Sequence, residues 1–192
     1  MPVGRTPWAL TLSRFEAMGW LVLGRREAAI RVFDRMLVRW PANAYALASR
    51  AHLKAQLGRR GEAIADARAL VAAHPDRSAA DWFNLAFLLE DAAQLTEAEG
   101  AFKHAIRLDP KLDRAWYGLG LVLIRLGRND EALVALERNT ALQPMSPFGW
   151  YQRARLHMNR HEPEAALKII RHLKGFEPKV AAQLERETGL VA

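Results

Sequence analysis

The chain has 192 residues, 51% of them hydrophobic and 26% charged, and its formal net charge is +7. This composition allows a packed interior and argues against a disordered chain, while the basic excess raises the question of nucleic acid or acidic partners. With no cysteine, the sequence excludes disulfides, thiolate zinc sites, iron–sulfur clusters and cysteine nucleophiles.

The N-terminal region carries neither the pattern of a secretory signal nor that of a membrane span. Arg14 and Glu16 interrupt the only candidate apolar stretch, and the apolar run at residues 19–24 is too short to cross a bilayer. Residues 1–9 are predicted to form an N-terminal extension, and the expected location is cytoplasmic. An initial methionine together with the C-terminal helix described below predicts a complete protein.

Prolines recur at a fixed interval along the rest of the chain. Their spacings are 34, 35, 34 and 34 residues, at Pro41, Pro75, Pro110, Pro144 and Pro178. A constant period of this length is typical of stacked helical repeats. It divides the chain into five predicted units, which cover residues 10–43, 44–78, 79–112, 113–146 and 147–180. Residues 179–192 are predicted to form a C-terminal amphipathic helix and a tail, and the helix is expected to cap the apolar face of the last unit.

The same positions recur inside each unit, weakly in the first two and strongly in the later ones. The third unit reads Trp82-x2-Leu85-Ala86-x2-Leu89 followed by Ala98-x3-Phe102, and the fourth reads Trp116-x2-Leu119-Gly120 followed by Ala132-x3-Leu136. The fifth unit keeps Trp150, Ala154, Ala166 and Ile170. The main departures are charged or polar residues at apolar positions, namely Arg50, Lys54, Arg153 and His157.

This pattern resembles the tetratricopeptide-repeat (TPR) family over residues 10–180. The resemblance implies an all-α, right-handed α-solenoid of five antiparallel helix pairs plus the C-terminal capping helix. Small residues such as Gly120 are expected to let paired helices approach closely. Gly58 and Gly127 are predicted to end first helices with positive φ, and Thr96 and Asn129 to be N-caps of second helices.

The resemblance also implies a concave groove that is lined by the first helix of each pair and binds a peptide. Carried over to this chain, the groove positions are Tyr45, His52 and Gln56 in the second unit, Phe83, Asn84, Phe87 and Glu90 in the third, Arg114, Tyr117, Leu121 and Arg125 in the fourth, and Phe148, Tyr151, Gln152, Arg155 and Asn159 in the fifth. Aromatic side chains supply contact area, and arginine and asparagine hydrogen-bond a peptide. The alternative is that Phe83, Phe87 and Tyr117 pack between repeats.

Two ligand classes are not favoured by the residues. Only Asn84 and Arg114 are reminiscent of the clamp that some TPR proteins use for heat-shock chaperone tails, so we do not predict a chaperone-tail ligand. The five units carry net charges of +4, +3, −3, 0 and +3, with residues 1–9 counted in the first and the fifth counted over residues 147–178. An acidic middle interrupts the continuous phosphate track that nucleic acid favours.

No residues form a recognisable catalytic or metal-binding pattern. His157-x3-His161 has metal-ligand spacing but lacks the glutamate that a zinc protease places after its first histidine, so we expect a structural role. Gly118-Leu-Gly120 falls within a predicted helix and does not follow a strand, unlike a phosphate-binding loop. We therefore expect no enzyme activity, cofactor, metal or small-molecule substrate.

The sequence predicts a non-enzymatic adaptor or scaffold that binds a protein or peptide partner in its groove, in the assembly of a bacterial multiprotein complex. Two alternatives stay open. The first is a structural unit that self-associates into a homo-oligomer, because a repeat array has open ends. The second, less favoured, is a nucleic-acid-binding array that uses the basic ends.

Overall fold

The computed structural model describes residues 7–192, which contain eleven α-helices and no strand. The all-α fold and the predicted number of helices are confirmed. The helices belong to two compact units, one ending at Ala92 and the other beginning at Ala93. From here on, the first unit and the second unit mean these two parts of the chain, and the five predicted units of the sequence are called repeats.

The first unit contains five helices, in which each helix contacts the next. They are α1 (Pro7–Val22), α2 (Arg26–Arg39), α3 (Ala44–Gln56), α4 (Arg60–Ala73) and α5 (Ala79–Asp91). Helix α1 begins inside the stretch predicted to be an N-terminal extension, and residues 1–6 of that extension lie outside the described residues. The core of this unit is formed by large apolar side chains of α2, α3 and α4, including Phe33, Met36, Leu47, Leu53 and Leu70.

The second unit contains six helices. They are α6 (Leu95–Leu108), α7 (Asp113–Arg125), α8 (Asn129–Leu142), α9 (Pro147–Asn159), α10 (Pro163–Lys174) and α11 (Pro178–Thr188). Successive helices from α6 to α10 contact one another, and α11 packs against both α9 and α10. The fully buried side chains of Ile170, Leu173 and Leu184 join α10 to α11.

The turn between the two helices of each pair has the same backbone conformation throughout the chain. As predicted, Gly58 and Gly127 have positive φ, of 76° and 75°. Gly24, Ala93 and His161 occupy the equivalent turns and also have positive φ. A residue with a side chain costs about 1 kcal/mol in this region, so the turn is set by the repeat and not by glycine alone.

The N-cap predictions for α6 and α8 are wrong. The N-cap residues are Gln94 and Arg128, whereas Thr96 and Asn129 lie within the first turn of each helix. Each of these helices begins two residues after the positive-φ residue of the turn, Ala93 or Gly127. Thr96 and Asn129 are therefore already helical and cannot act as N-caps. In place of a side-chain cap, Arg128 forms a bidentate ion pair with Glu131, with both N–O distances at 2.6 Å.

The periodic tryptophans and prolines are joined by a repeated hydrogen bond. The indole Nε1 of Trp116 donates to the carbonyl oxygen of Pro110 at 2.9 Å, and Trp150 donates to Pro144 at 2.8 Å. In the first unit, Trp82 donates to the carbonyl of Pro75 at 2.7 Å. The bond fixes the start of α5, α7 and α9 against the preceding turn, which explains why both residue types share one period.

Close helix packing accounts for the glycines of α7. A Cβ atom on Gly120 would lie 2.7 Å from Cγ of Leu136 in α8, and one on Gly118 would overlap the ring of Phe102 in α6. Both glycines are inside α7. The prediction that Gly120 serves helix packing and not a phosphate loop is therefore confirmed.

The charged residues at apolar positions of the second repeat form an ionic cluster around the buried carboxylate of Asp66. Arg50 of α3 makes a bidentate contact with Asp66 of α4, at 2.9 and 2.6 Å, and also donates to Asp34 of α2 at 2.7 Å. Lys54 lies 2.9 Å from Asp66 and is itself buried. The departures from the repeat pattern are thus compensated by one another, and they join α2, α3 and α4.

Candidate functional site

A cavity of about 330 Å³ opens in the first unit, where four of the predicted groove positions meet. Helix α3 presents Ala48, Ala51 and Ala55 along one face, and these small side chains leave the space. We call this cavity the alanine pocket. It is lined by Ala48, Ala51, His52, Ala55, Gln56, Ala67, Leu70, Asp81, Asn84, Phe87 and Leu88.

The rim of the alanine pocket is polar. The carboxylate of Asp81 is buried and accepts a hydrogen bond from Arg77 Nε at 2.8 Å, so its charge is compensated. His52 Nε2 lies 2.9 Å from Gln56 Nε2. The exposed amide of Asn84 has no hydrogen-bond partner within residues 7–192. The pocket therefore combines an apolar interior with amide groups that can bond to a peptide backbone.

Phe87 stands over the alanine pocket with 56% of its surface exposed. This exposure does not fit the alternative in which Phe87 packs between repeats. Phe83 is half-buried and has contacts of its own, so packing accounts better for that ring.

Tyr45, another predicted groove residue of the first unit, does not border the alanine pocket. Its ring meets Phe33 edge-on at 5.8 Å and is covered by the guanidinium of Arg14 at 4.1 Å. Together with Phe15 and Met18 of α1 it borders a separate cavity of about 330 Å³. Sequence reasoning assigned no binding role to the α1 residues at this cavity.

Aromatic residues of α7 and α9 meet in the second unit. The rings of Tyr117 and Phe148 are in edge contact, with centroids 6.5 Å apart, and Phe148 is 66% exposed. They border a cavity of about 280 Å³, which we call the Phe148 pocket. It is lined by Tyr117, Pro147, Phe148, Tyr151, Gln152, Val180 and Gln183.

A second cavity of the same unit, of about 430 Å³, shares Tyr151 with the Phe148 pocket. We call it the Glu187 pocket, and it is lined by Tyr151, Arg155, Met158, Asn159, Glu187 and Thr188. The hydroxyl of Tyr151 donates to Glu187 at 2.7 Å, which raises the pKa of the tyrosine. Hydrogen bonds from Gln183 and Tyr151 lower the pKa of Glu187.

The remaining predicted groove residues do not border these cavities. Leu121 and Glu90 are half-buried, while Arg114 and Arg125 are exposed on α7. The sequence reasoning missed two contributors, the alanines of α3 and the side chains of α11. The signal for the second was present, since Val180, Gln183 and Glu187 recur at the helical spacing of i, i+3 and i+7.

The two histidines of α9 and its following turn have separate roles. His157 Nδ1 is 2.7 Å from Glu162 Oε2, and His161 is the positive-φ residue of the turn. Over residues 7–192, no group of three or more histidine, cysteine, aspartate or glutamate side chains is placed to hold a metal ion. Nor does that range contain a helix long and apolar enough to cross a membrane.

Three arginines converge at the turn between α1 and α2. Arg25, Arg26 and Arg31 border a cavity of about 420 Å³ together with Trp20 and Leu57. Arg25 is the N-cap residue of α2, and Arg26 is the first residue of that helix.

Part of the sequence is similar to sequences of known proteins. Residues 83–147 match the family model for the tetratricopeptide repeat. A cell division cycle protein 27 homolog from Caenorhabditis elegans is 39% identical over 51 residues, which make up 27% of this chain and 6% of that protein. This chain therefore spans a small fraction of that relative's length.

Two solved structures share the fold over most of both chains. MamA from Desulfovibrio magneticus RS-1 has a TM-score of 0.76 at 17% identity, covering 94% of this chain and 97% of that one. YrrB, described as a TPR protein with an unusual peptide-binding site, has a TM-score of 0.78 at 19% identity, with 88% of each chain covered. Residues 83–147 are therefore identified as tetratricopeptide repeats, and the other described helices continue the same repeat period and paired arrangement.

Proposed function

We propose that the chain is a non-enzymatic adaptor or scaffold that binds a segment of a partner protein on the face of its first helices. We further propose that it acts in the cytoplasm of a bacterium, in the assembly of a multiprotein complex. The observation that carries the binding proposal is the alanine pocket, an apolar cavity whose rim bears the unpaired amide of Asn84.

The shape and chemistry of this pocket suit an amphipathic peptide. An apolar side chain of the partner fills the space left by Ala51 and Ala55, and Phe87 covers it from the side. The amides of Asn84 and Gln56 bond to the main chain of the same segment. A preformed cavity of this kind binds without rearrangement, which keeps the entropic cost of association low.

Site-specific photo-crosslinking tests the proposal directly. The photoreactive residue p-benzoylphenylalanine replaces Phe87 in the full chain, and the protein is irradiated in lysate of the source organism. We expect one crosslinked partner, identified by mass spectrometry, and binding of the purified partner to the unmodified chain.

Two variants serve as controls for this experiment. The same photoreactive residue at Val38, which is 86% exposed on α2 and outside the pocket, should give no adduct with that partner. Ala55→Phe should fill the pocket and abolish the crosslink at position 87 while leaving the helical content unchanged. Equal crosslinking from both positions, or an undiminished adduct in Ala55→Phe, would show that the pocket is not the binding site.

A second candidate function, self-association, is favoured by the surface of α1. Trp8, Leu12, Phe15 and Met18 form one apolar stripe on this helix, and each is more than half exposed. Contiguous exposed apolar surface of this kind marks an interaction site.

A further inference from the structure

In the second unit, a predicted groove residue, Tyr151, is hydrogen-bonded to a carboxylate of the chain itself, that of Glu187. The Oε2 atom of Glu187 accepts a hydrogen bond from the Tyr151 hydroxyl at 2.7 Å, and its Oε1 atom accepts one from Gln183 at 2.8 Å. The guanidinium of Arg155 lies over the Tyr151 ring, 5.7 Å from its centroid, and borders the same cavity. This arrangement of a hydroxyl and a guanidinium is one that recognises carboxylates.

The charge of α9 favours an acidic ligand. The helix contains two arginines and no aspartate or glutamate. Arg153 is turned toward α8, where it bonds to Thr140 at 2.9 Å and lies 3.3 Å from Glu137. Arg155 is exposed and borders the Glu187 pocket, so Glu187 is the acidic side chain next to it in that cavity. Glu185, the other acidic residue of α11, is held by Lys174 at 2.8 Å.

An apolar site lies directly beside the carboxylate site, because Tyr151 borders both cavities. The Phe148 pocket, about 280 Å³ in volume, is walled by the rings of Tyr117 and Phe148. A cavity of this size admits a leucine or phenylalanine side chain. A ligand that bridges the two cavities therefore presents a carboxylate and a bulky apolar side chain close together.

We propose that this face of the second unit binds an acidic segment of the partner protein, whose carboxylate replaces that of Glu187 at Tyr151 and Arg155 while a neighbouring apolar side chain enters the Phe148 pocket. The proposal rests on the proposed function and specifies the chemistry of the partner. Glu187 occupies the carboxylate site in the unbound protein, so its carboxylate competes with that of the partner. Binding of a partner segment then requires this contact to open, which lowers the apparent affinity.

Nuclear magnetic resonance titration of the full-length chain tests the proposal with defined probes. The acidic probe is an acetylated and amidated ten-residue peptide of alternating leucine and glutamate, and its counterpart has glutamine in place of each glutamate. We expect the acidic peptide to perturb the Tyr151 and Arg155 signals and to bind Glu187→Gln about 3- to 10-fold more tightly than the unmodified chain. The glutamine peptide should show no such gain.

Matched variants separate the site from general charge effects. Glu164→Gln removes one negative charge from α10 at an exposed position away from both pockets, and should leave the affinity unchanged. Arg155→Gln should abolish the preference for the acidic peptide over the glutamine peptide. Circular dichroism establishes that each variant is folded.

Two results would overturn the inference. One is equal binding of both peptides, or an absence of signal changes at Tyr151 and Arg155 up to about 5 mM peptide, which corresponds to an affinity too weak for recognition. The other is an affinity of Glu187→Gln for the acidic peptide that is equal to or lower than that of the unmodified chain. The crosslink from position 87 reports on the first unit, so either result leaves the proposed adaptor function separately testable.

Discussion

A missing side chain at Gly120 sets the approach of α7 to α8. Because a Cβ atom there would lie 2.7 Å from Leu136, which is completely buried, the clash has no flexible partner at the surface to relieve it. Gly120→Ala is expected to lower the free energy of unfolding by about 1–3 kcal/mol, the usual cost of overpacking. Urea denaturation followed by circular dichroism measures this change.

The same substitution at Gly100 separates packing from helix propensity. Gly100 lies inside α6, and no atom lies within 4 Å of the position that its Cβ would take. Gly100→Ala should therefore stabilise the protein by up to about 1 kcal/mol. If both substitutions stabilise the chain, close packing of α7 is not the reason for Gly120.

The carboxylate of Asp66 contacts two cations, the buried Lys54 and the half-buried Arg50. Its side chain is 7% exposed and is contacted by Arg50 and Lys54. Asp66→Asn leaves both cations without their shared counter-charge and should cost about 3–5 kcal/mol of unfolding free energy. The exposed Asp76, which has no ion pair among the described residues, provides the control Asp76→Asn, and denaturation of the two variants should differ by most of that amount.

Contacts between residues that are distant in the sequence were not predictable from it. The replacement of apolar residues by Arg50 and Lys54 was visible in the sequence, but their partner Asp66 lies on another helix, and no local pattern links them. The tryptophan and proline periods were also visible, whereas the hydrogen bond that joins them depends on the three-dimensional course of the turn. Long-range pairing of this kind cannot be derived from spacing alone.

At the level of helices, the second member of a pair can begin with an ion pair in place of a side-chain cap. In α4, Arg59 donates to both oxygens of Glu62, at 2.7 and 2.8 Å, and Arg128 and Glu131 repeat the arrangement in α8. A negative charge in the first helical turn also interacts favourably with the helix dipole. These carboxylates are therefore stabilised in their charged form.

The stability of the protein should fall when these carboxylates are protonated. The hydrogen bonds from Arg59 lower the pKa of Glu62 from 4.5 to about 2. A group whose pKa is lower in the folded state stabilises the fold above its unfolded pKa, and loses that contribution as the pH falls toward the folded value. We expect the unfolding free energy to decrease between pH 4.5 and 2, with a smaller decrease in Glu62→Gln.

The control for this pH dependence is Glu164→Gln. Glu164 is an exposed glutamate in the first turn of α10 and has no ion pair among residues 7–192. Its replacement should leave the slope of stability against pH between 4.5 and 2 as it is in the unmodified protein. Identical slopes for the unmodified protein and Glu62→Gln would mean that the Arg59 pair contributes no acid-sensitive stability.

The helices themselves were predictable because each leaves a periodic signal of apolar and small residues. The first turns of α6 and α8 were not predictable. Thr96 and Asn129 are residue types that commonly act as N-caps, but the geometry of the preceding turn starts each helix one or two residues earlier than they predict. The pockets were predictable only in part. Phe87 and Tyr151 stand at family positions, whereas the Glu187 contact depends on how α11 docks, which its amphipathic pattern does not specify.

For the molecule as a whole, α1 differs from the other helices in the amount of apolar surface that it leaves exposed. Ala17 is its one buried residue among those described, while Phe15 is 67% and Leu12 57% exposed. Covering such a stripe with the same stripe of a second copy removes apolar surface from water at roughly 25 cal/mol per Å². A symmetric contact of this kind gives a closed dimer.

Light scattering coupled to size-exclusion chromatography tests this expectation over a range of protein concentrations. The unmodified chain should show a mass that rises with concentration from that of the 21.6 kDa monomer toward twice that value. Phe15→Glu should remain monomeric, because two carboxylates would be buried against apolar surface in the dimer. Val38→Glu introduces the same charge at an exposed apolar residue of α2 and should dimerise as the unmodified chain does. A monomer at every concentration would remove self-association as a function and leave α1 as a surface for a different protein.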